Sequence, residues 1–238
     1  MSELPLFHAQ GLTKRFGGFV ALDSVDFEVG AGERVGLIGP NGSGKSTLVG
    51  CASGSLRNDG GAVWFKDRRI DRLLPHQRVR AGLVRSFQLP RPFRGLTVAE
   101  NLRVPLVFAG RQGRAQDAID DALEFVGLAA RREAMPQDLT QVDLRKLDLA
   151  RATVAKPQLL FVDEAMAGLS HSEVDEIIAL MMRMNERGVA IVMIEHIMRA
   201  VTAFSQRLVV LVAGRKIADG DPEQVLANVE VQRAYLGE

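Results

Sequence analysis

The spacing of apolar positions changes character along this chain. Over the first sixty or so residues they fall in short runs, "LFHAQ", "VDFEV", "ERVGLIG" and "GAVWFKD", separated by turns bearing Gly or Asp. That pattern predicts strands. "GKSTLVGCAS" starts directly after one of them and reads as a helix. From about residue 97 to 155 the period is helical: "AQDAIDDALEFVGL" keeps its apolar residues on one face, and so do Leu144, Leu147, Ala150 and Val154. The last third alternates strand "QLLFVD", helix "HSEVDEIIALMMRMNERG", strand "VAIVMIE", a further helix and strand "RLVVLVAG". Strands alternating with helices predict an α/β core with a mostly parallel sheet. The strand-only front predicts an antiparallel β decoration. Turn-like "LPRPFRG" and "AMPQD" bracket much of the helical middle and mark it as an α-helical subdomain inserted between core strands. No internal repeat interrupts this plan.

Composition narrows the class. With 238 residues, 47% of them hydrophobic, the chain can bury a real core as one large or lobed domain. A formal net charge of +1 gives no bulk pull toward nucleic acid or an acidic membrane. A single cysteine, Cys51, excludes an internal disulfide and fits a reducing compartment. No apolar run reaches membrane-spanning length, and "MSELPLFHAQ" lacks a basic segment followed by an apolar one. The expectation is a soluble cytoplasmic protein.

The strongest chemical signal is "GPNGSGKST": Gly39, Pro40, Asn41, Gly42, Ser43, Gly44, Lys45, Ser46 and Thr47. It matches the phosphate-binding P-loop pattern between an apolar strand and a helix, which is the context the motif requires. The glycines let backbone N–H groups turn toward phosphate oxygens, and the helix end adds partial positive charge. Lys45 reaches the outer phosphates, and the Ser46 hydroxyl can ligate Mg²⁺. "LLFVDEA" is an apolar strand ending in two acids. Asp163 can hold Mg²⁺ through water, and Glu164 can orient or deprotonate an attacking water; an acid pair at a strand end can equally cap a turn. His196 follows "VAIVMIE" at what should be the carboxyl end of a core strand, where ligands bind in open α/β sheets. Gln88 ends "LVRSFQ", and Phe16 lies in "TKRFGGFVAL". Position alone leaves His196 and Gln88 open between structural and functional roles, and Phe16 between a core ring and a purine-stacking one.

Together these residues resemble the ATP-binding-cassette (ABC) ATPases over essentially the whole chain. The resemblance implies a P-loop (RecA-like) core spanning residues 1–88 and 156–238, including the antiparallel subdomain, with a helical subdomain over 89–155. It makes residues 39–47 the Walker A loop, Asp163 and Glu164 the Walker B pair, "AGLS" (167–170) the D-loop, Gln88 the Q-loop residue and a Mg²⁺ ligand, His196 the switch histidine, and Phe16 the adenine-stacking aromatic. ATP and Mg²⁺ are the implied cofactors. The implied partners are a second ATPase subunit and two integral-membrane permease subunits, with no nucleic acid, and the implied place is the cytoplasmic face of the cell membrane. "GLVRSFQ", "LTVAENL", "DEAMAGL" and "AYLGE" are similar to ATPase subunits of branched-chain amino acid importers, and related importers for other small polar solutes share much of that pattern.

The resemblance fails at one place. Where the family usually has Leu-Ser-Gly-Gly-Gln before a helix like "LRKLDLARA", this chain has "LTQVD". Thr140 keeps a hydroxyl and is placed to cap the helix, with Asp143 three residues on completing a capping box. Gln141 and Val142 keep their backbone N–H groups but add side chains where glycine allows closest approach. Asp143 places a negative charge in the first turn. Losing one charge-assisted hydrogen bond to phosphate would weaken closure by roughly 1.5–3 kcal/mol. In the family each signature serves the partner's ATP, so the handicap falls on the companion site and this chain's own site stays complete. Ala165 stands where the family often has proline, leaving the turn after Glu164 freer. "RVRAGLVRSFQLPRPFR" reads either as a permease-facing segment or as a solvated basic face. Two other functions remain in view: a soluble ABC ATPase without a transport role, disfavoured by a single cassette without coiled coil, and a nucleotide-binding subunit with little turnover, disfavoured by Glu164 and His196.

Overall fold

The computed structural model describes residues 4–86, 90–108 and 115–236. In chain order the elements are β1 (Phe7–Phe16), β2 (Phe19–Val29), β3 (Arg34–Ile38), α1 (Lys45–Ser53), β4 (Gly60–Phe65), β5 (Arg68–Arg69), α2 (Pro75–Ala81) and β6 (Leu83–Arg85). They continue with α3 (Val98–Phe108), α4 (Ala115–Val126), α5 (Gln141–Val154), β7 (Leu159–Asp163), α6 (His171–Glu186) and β8 (Ala190–Ile194). The chain closes with α7 (Met198–Phe204), β9 (Arg207–Val212), β10 (Arg215–Gly220), α8 (Pro222–Ala227) and α9 (Val229–Leu236).

Among the described residues there are two sheets. The larger has the order β10-β9-β3-β8-β7-β6, with every neighbouring pair parallel except β9–β10. β7 and β8 are buried at every residue, the mark of a strand covered on both faces. Because side chains alternate along a strand, each strand feeds two cores. Leu159, Phe161, Val192 and Ile194 pack with α1 residues Leu48 and Ala52 and with Phe7, Phe27 and Phe65 of the smaller sheet. Leu160, Val162, Ile191 and Met193 face the other way, onto Leu123, Leu147, Ala150, Ile177 and Phe204 from the helices. Phe161 meets Phe7 edge to face at 5.8 Å, tying the sheets together.

The smaller sheet, ordered β2-β1-β4-β5, is antiparallel. Its first two strands are longer than the apolar runs predict. They continue through "GLTKRF" and "FVALDS" to a tight Phe16–Phe19 hairpin. Register shifts between Ala9 and Arg15, with Gly11 at φ 57°, break the two-residue alternation that would have marked them. Helices α3, α4 and α5 lie between β6 and β7 in sequence; α4 buries Ile119, Ala122, Leu123 and Val126 at helical spacing. Among the described residues no helix is long and apolar enough to cross a membrane.

Candidate nucleotide site

β3 runs into the loop at Gly39, and backbone crowding explains the glycines there. A Cβ on Gly39 (φ 150°) would lie 2.1 Å from the Leu211 carbonyl oxygen of β9, and one on Gly44 (φ 104°) would lie 2.6 Å from that of Ala21 in β2. Around Gly42 nothing lies within 4 Å, so that side of the loop is open. Gly44 caps α1 in a left-handed conformation with no side-chain hydrogen bond to the helix. The first N–H groups of α1 are thus left to an outside acceptor, which is an anion-binding geometry. Lys45 Nζ folds back over the loop and donates to Gly39 O (2.7 Å), Pro40 O (3.0 Å) and Ser43 Oγ (3.5 Å). Burial lowers the Lys45 pKa, while the charges of Glu164 and Asp163 oppose that shift. Ser43 is buried, and its carbonyl accepts the Gly214 N–H at 3.0 Å. Ser46 and Thr47 lie in the first turn of α1.

The sheet register brings the remaining parts to the same edge. Ile194 is level with Leu37 of β3 on one side and with Asp163 of β7 on the other. Asp163 is almost fully buried, and Arg85 Nη2, from the end of β6, approaches its Oδ2 to 2.7 Å. Glu164 turns the chain out of β7 at φ 44°, a left-handed conformation that strains a non-glycine residue by about 1–3 kcal/mol. Its N–H donates to Ile194 O at 2.9 Å. The next N–H but one, Met166, donates to Glu195 Oε1 at 2.9 Å. The turn around Ala165 is therefore pinned on both sides, and the freedom expected from the missing proline is taken up by these bonds. His196 emerges beyond β8 with its ring largely exposed, 3.9 Å from Glu195 Oε2 through Nδ1. Phe16, at the β1–β2 hairpin, is 48% exposed, with Lys14 Nζ 5.3 Å from its ring centre. Gln88 lies outside the described residues.

The "LTQVD" stretch forms the start of α5. Thr140 is the cap, its Oγ1 accepting the Asp143 N–H at 3.2 Å. Only half of the expected capping box forms: the Asp143 carboxylate sits 3.7 Å from Lys146 Nζ, one turn on, where opposite charge attracts it away from the Thr140 N–H. Gln141 Oε1 lies 3.1 Å from where a Cβ on Gly168 would be, so its side chain leans on the segment between β7 and α6. Val142 is half-buried against the helical core.

Three residues with structural consequences escaped the sequence reading. Arg78 is fully buried, donating to Cys51 O (2.6 Å) and Ala52 O (2.7 Å) at the carboxyl end of α1. Arg85 is held on Asp163. For these two arginines, neither a permease-facing segment nor a solvated basic face describes the "RVRAGLVR" stretch. Glu195, the last residue of the run "VAIVMIE", is a fully buried acid; its sequence signal is an acid directly before a histidine.

Among the described residues no group of three or more His, Cys, Asp and Glu could hold a metal alone. Ser46 at the start of α1 and Asp163 at the end of β7 are oxygen donors of the kind Mg²⁺ takes when it binds through one or two protein groups plus substrate phosphates. A parallel sheet whose central strand delivers a glycine-cradled helix end, beside a lysine in the field of two acids, defines a P-loop nucleotide-binding protein. Comparison with known proteins narrows this class. The ABC transporter family profile matches residues 22–167. One described as "Branched-chain amino acid ATP-binding cassette transporter" matches residues 215–238. The chain is 38% identical to the high-affinity branched-chain amino acid transport ATP-binding protein LivG of Escherichia coli (strain K12), covering 98% of both. It is 34% identical to BraF of Pseudomonas aeruginosa, which bears the same description, again over 98% of both. Among solved structures, a nucleotide-free ATP-binding cassette from an ABC transporter superposes with TM-score 0.88 at 29% identity, covering 99% of this chain and 100% of that one. The ADP conformation of an ATP-binding cassette of an ABC transporter gives TM-score 0.89 at 28% identity, with the same coverage. The chain belongs to the ABC transporter ATP-binding family and is an ATPase.

Proposed function

We propose that this chain is the energy-coupling subunit of an ABC importer for branched-chain or other amino acids. The observation that carries the reading is the full-length match to LivG, joined to a loop in which Lys45 lies in the field of Asp163 and Glu164. In this reading the N–H groups of residues 39–47 and the Lys45 ammonium hold the phosphates, and the Phe16 ring stacks on adenine. Ser46, Gln88 and, through water, Asp163 would hold Mg²⁺, which supplies neutralisation of charge between the outer phosphates. Glu164 orients and deprotonates the attacking water, and His196 faces the terminal phosphate from the end of β8. The helical subdomain, assigned to residues 89–155, sets α5 against the partner's nucleotide, while residues 1–88 and 156–238 hold this chain's own.

Closure pairs the chain with a second ATPase subunit, the same or different, and transmits motion to two permease subunits, with the chain peripheral on the cytoplasmic membrane face. Thr140, Gln141, Val142 and Asp143 serve the partner's ATP. Side chains stand at 141 and 142 where glycine would allow closest approach of that phosphate, so the companion site is the weaker of the two. The test is uptake of labelled branched-chain and other amino acids by cells whose only copy of this chain carries Glu164→Gln. Loss of uptake is expected, with ATP still bound by the purified variant. Unchanged uptake of every amino acid tried would refute the importer reading.

A further inference from the structure

Glu195 has no part in the chemistry above, yet its side chain is 0% exposed at the edge of the site. Its two oxygens are divided between two backbone N–H groups. Oε1 accepts from Met166, at the head of the D-loop segment, at 2.9 Å, and Oε2 accepts from His196 at 3.3 Å. A third element approaches from α5. Arg145 is buried on this helix, and burial lowers its pKa while the charges of Asp148 and Glu195 oppose that. Gln141, one helical turn before Arg145 and so on the same face, leans on Gly168 of the same segment. The histidine serving this chain's own nucleotide and the segment after its Walker B acids thus meet on one carboxylate, and the helix serving the partner's nucleotide leans on that same segment.

We propose that Glu195 is a positioning residue that fixes the D-loop backbone and the His196 backbone to each other beside α5, so that the chain's own ATP site and the surface it offers the partner move as one body. The proposal rests on the ATPase reading above. A carboxylate is the group this position requires: it is acceptor-only at both oxygens and meets two donors, and hydrogen bonds to a charged acceptor are the strong ones. An apolar residue would leave both N–H groups without acceptors. An amide would satisfy one and turn its own NH₂ against the other.

That asymmetry makes Glu195→Gln, the same size and shape, the informative variant. Three quantities are read: binding of a fluorescent ATP analogue, amide hydrogen exchange at Met166 and His196 in the purified chain, and turnover by the chain in its transporter. Analogue affinity should stay within about twofold, since the P-loop is untouched. Exchange at one of the two amides should quicken by about tenfold, the loss of one charge-assisted hydrogen bond. Turnover at saturating ATP should fall by about tenfold with KM unchanged. Unchanged exchange at both amides, unchanged turnover, or a turnover loss fully matched by lost ATP affinity would each overturn the proposal. If Glu195→Gln does not fold, Glu195→Asp keeps both acceptors one methylene short and is read in the same way. Failure of the parent chain to bind the analogue would instead defeat the ATPase reading, before Glu195 is changed.

Discussion

The Arg85–Asp163 pair offers a sharp quantitative test of the site's electrostatics. The charges approach to 2.7 Å with side chains 16% and 6% exposed, so water screens them poorly. At an effective dielectric of about 20 the gross attraction is roughly 6 kcal/mol, most of it offset by desolvation. Removing one partner leaves the other's charge stranded, and that loss is typically about 3–5 kcal/mol for a buried pair. Arg85→Met keeps the length of the side chain and removes the charge. Because Arg85 retains some solvent access, its expected destabilisation is at the lower end, about 3 kcal/mol. Asp163→Asn should cost about 2 kcal/mol, since it leaves the guanidinium facing a neutral acceptor. If the pair itself carries these losses, the double variant is less unstable than their sum by about 2 kcal/mol. Urea denaturation of the four proteins in Mg²⁺-free buffer measures this, and the other interactions of Arg85 cancel in the cycle. Additivity within about 0.5 kcal/mol would show that the ion pair is a bystander and refute the argument.

Three further outcomes follow from burial and backbone geometry. Arg78→Met strands the carbonyls of Cys51, Ala52 and Leu73 and should destabilise by about 3–5 kcal/mol in urea; a loss below about 1 kcal/mol would contradict the cap described at the end of α1. Gly39→Ala would force a Cβ to 2.1 Å from a backbone oxygen at φ 150°. It should lose about 3 kcal/mol or more together with ATP binding, and a normal melt with normal binding would count against the loop geometry. The Cys51 thiol is pushed up to about 11, by burial first. At about pH 8 it should react with N-ethylmaleimide about a hundredfold more slowly in the native chain than in the urea-unfolded one, and equal rates would refute its burial.

How far the sequence reveals the molecule depends on whether the partners of a residue are local. The P-loop is legible because its donors lie within nine consecutive residues and its context within one strand and one helix. Asp163 and His196 are legible as positions, since an apolar run of strand length ends just before each. The sequence does not show that Leu37, Ile194 and Asp163 fall level across three strands, which depends on register between segments far apart in the chain. Arg78 and Arg85 look like surface charge for the same reason: their acceptors are carbonyls of α1 and an acid of β7. Bulges hid the length of β1 and β2. Short α2, α8 and α9 are too brief for their period to stand out.

"LTQVD" shows why a local reading can be right about a helix and incomplete about a site. Thr140 does cap α5, and a threonine cap contributes about 1 kcal/mol. Asp143 pairs with Lys146 rather than closing the box, so its charge remains tied to the helix surface. Gln141 meanwhile leans on Gly168, whose missing Cβ leaves room for that contact. A Ser-Gly-Gly-Gln sequence would lose the Gln141 contact and place two glycines at the start of the helix, which destabilises a helix interior by up to about 1 kcal/mol each. The rewritten stretch therefore favours order within its own subunit, whereas glycines would favour the approach of a phosphate from the partner. Those preferences compete at the start of α5, where Gln141 and Val142 carry the free backbone N–H groups. Under the proposed pairing, a chain whose partner bears the ordinary signature would take the first option and keep its own ATP site complete.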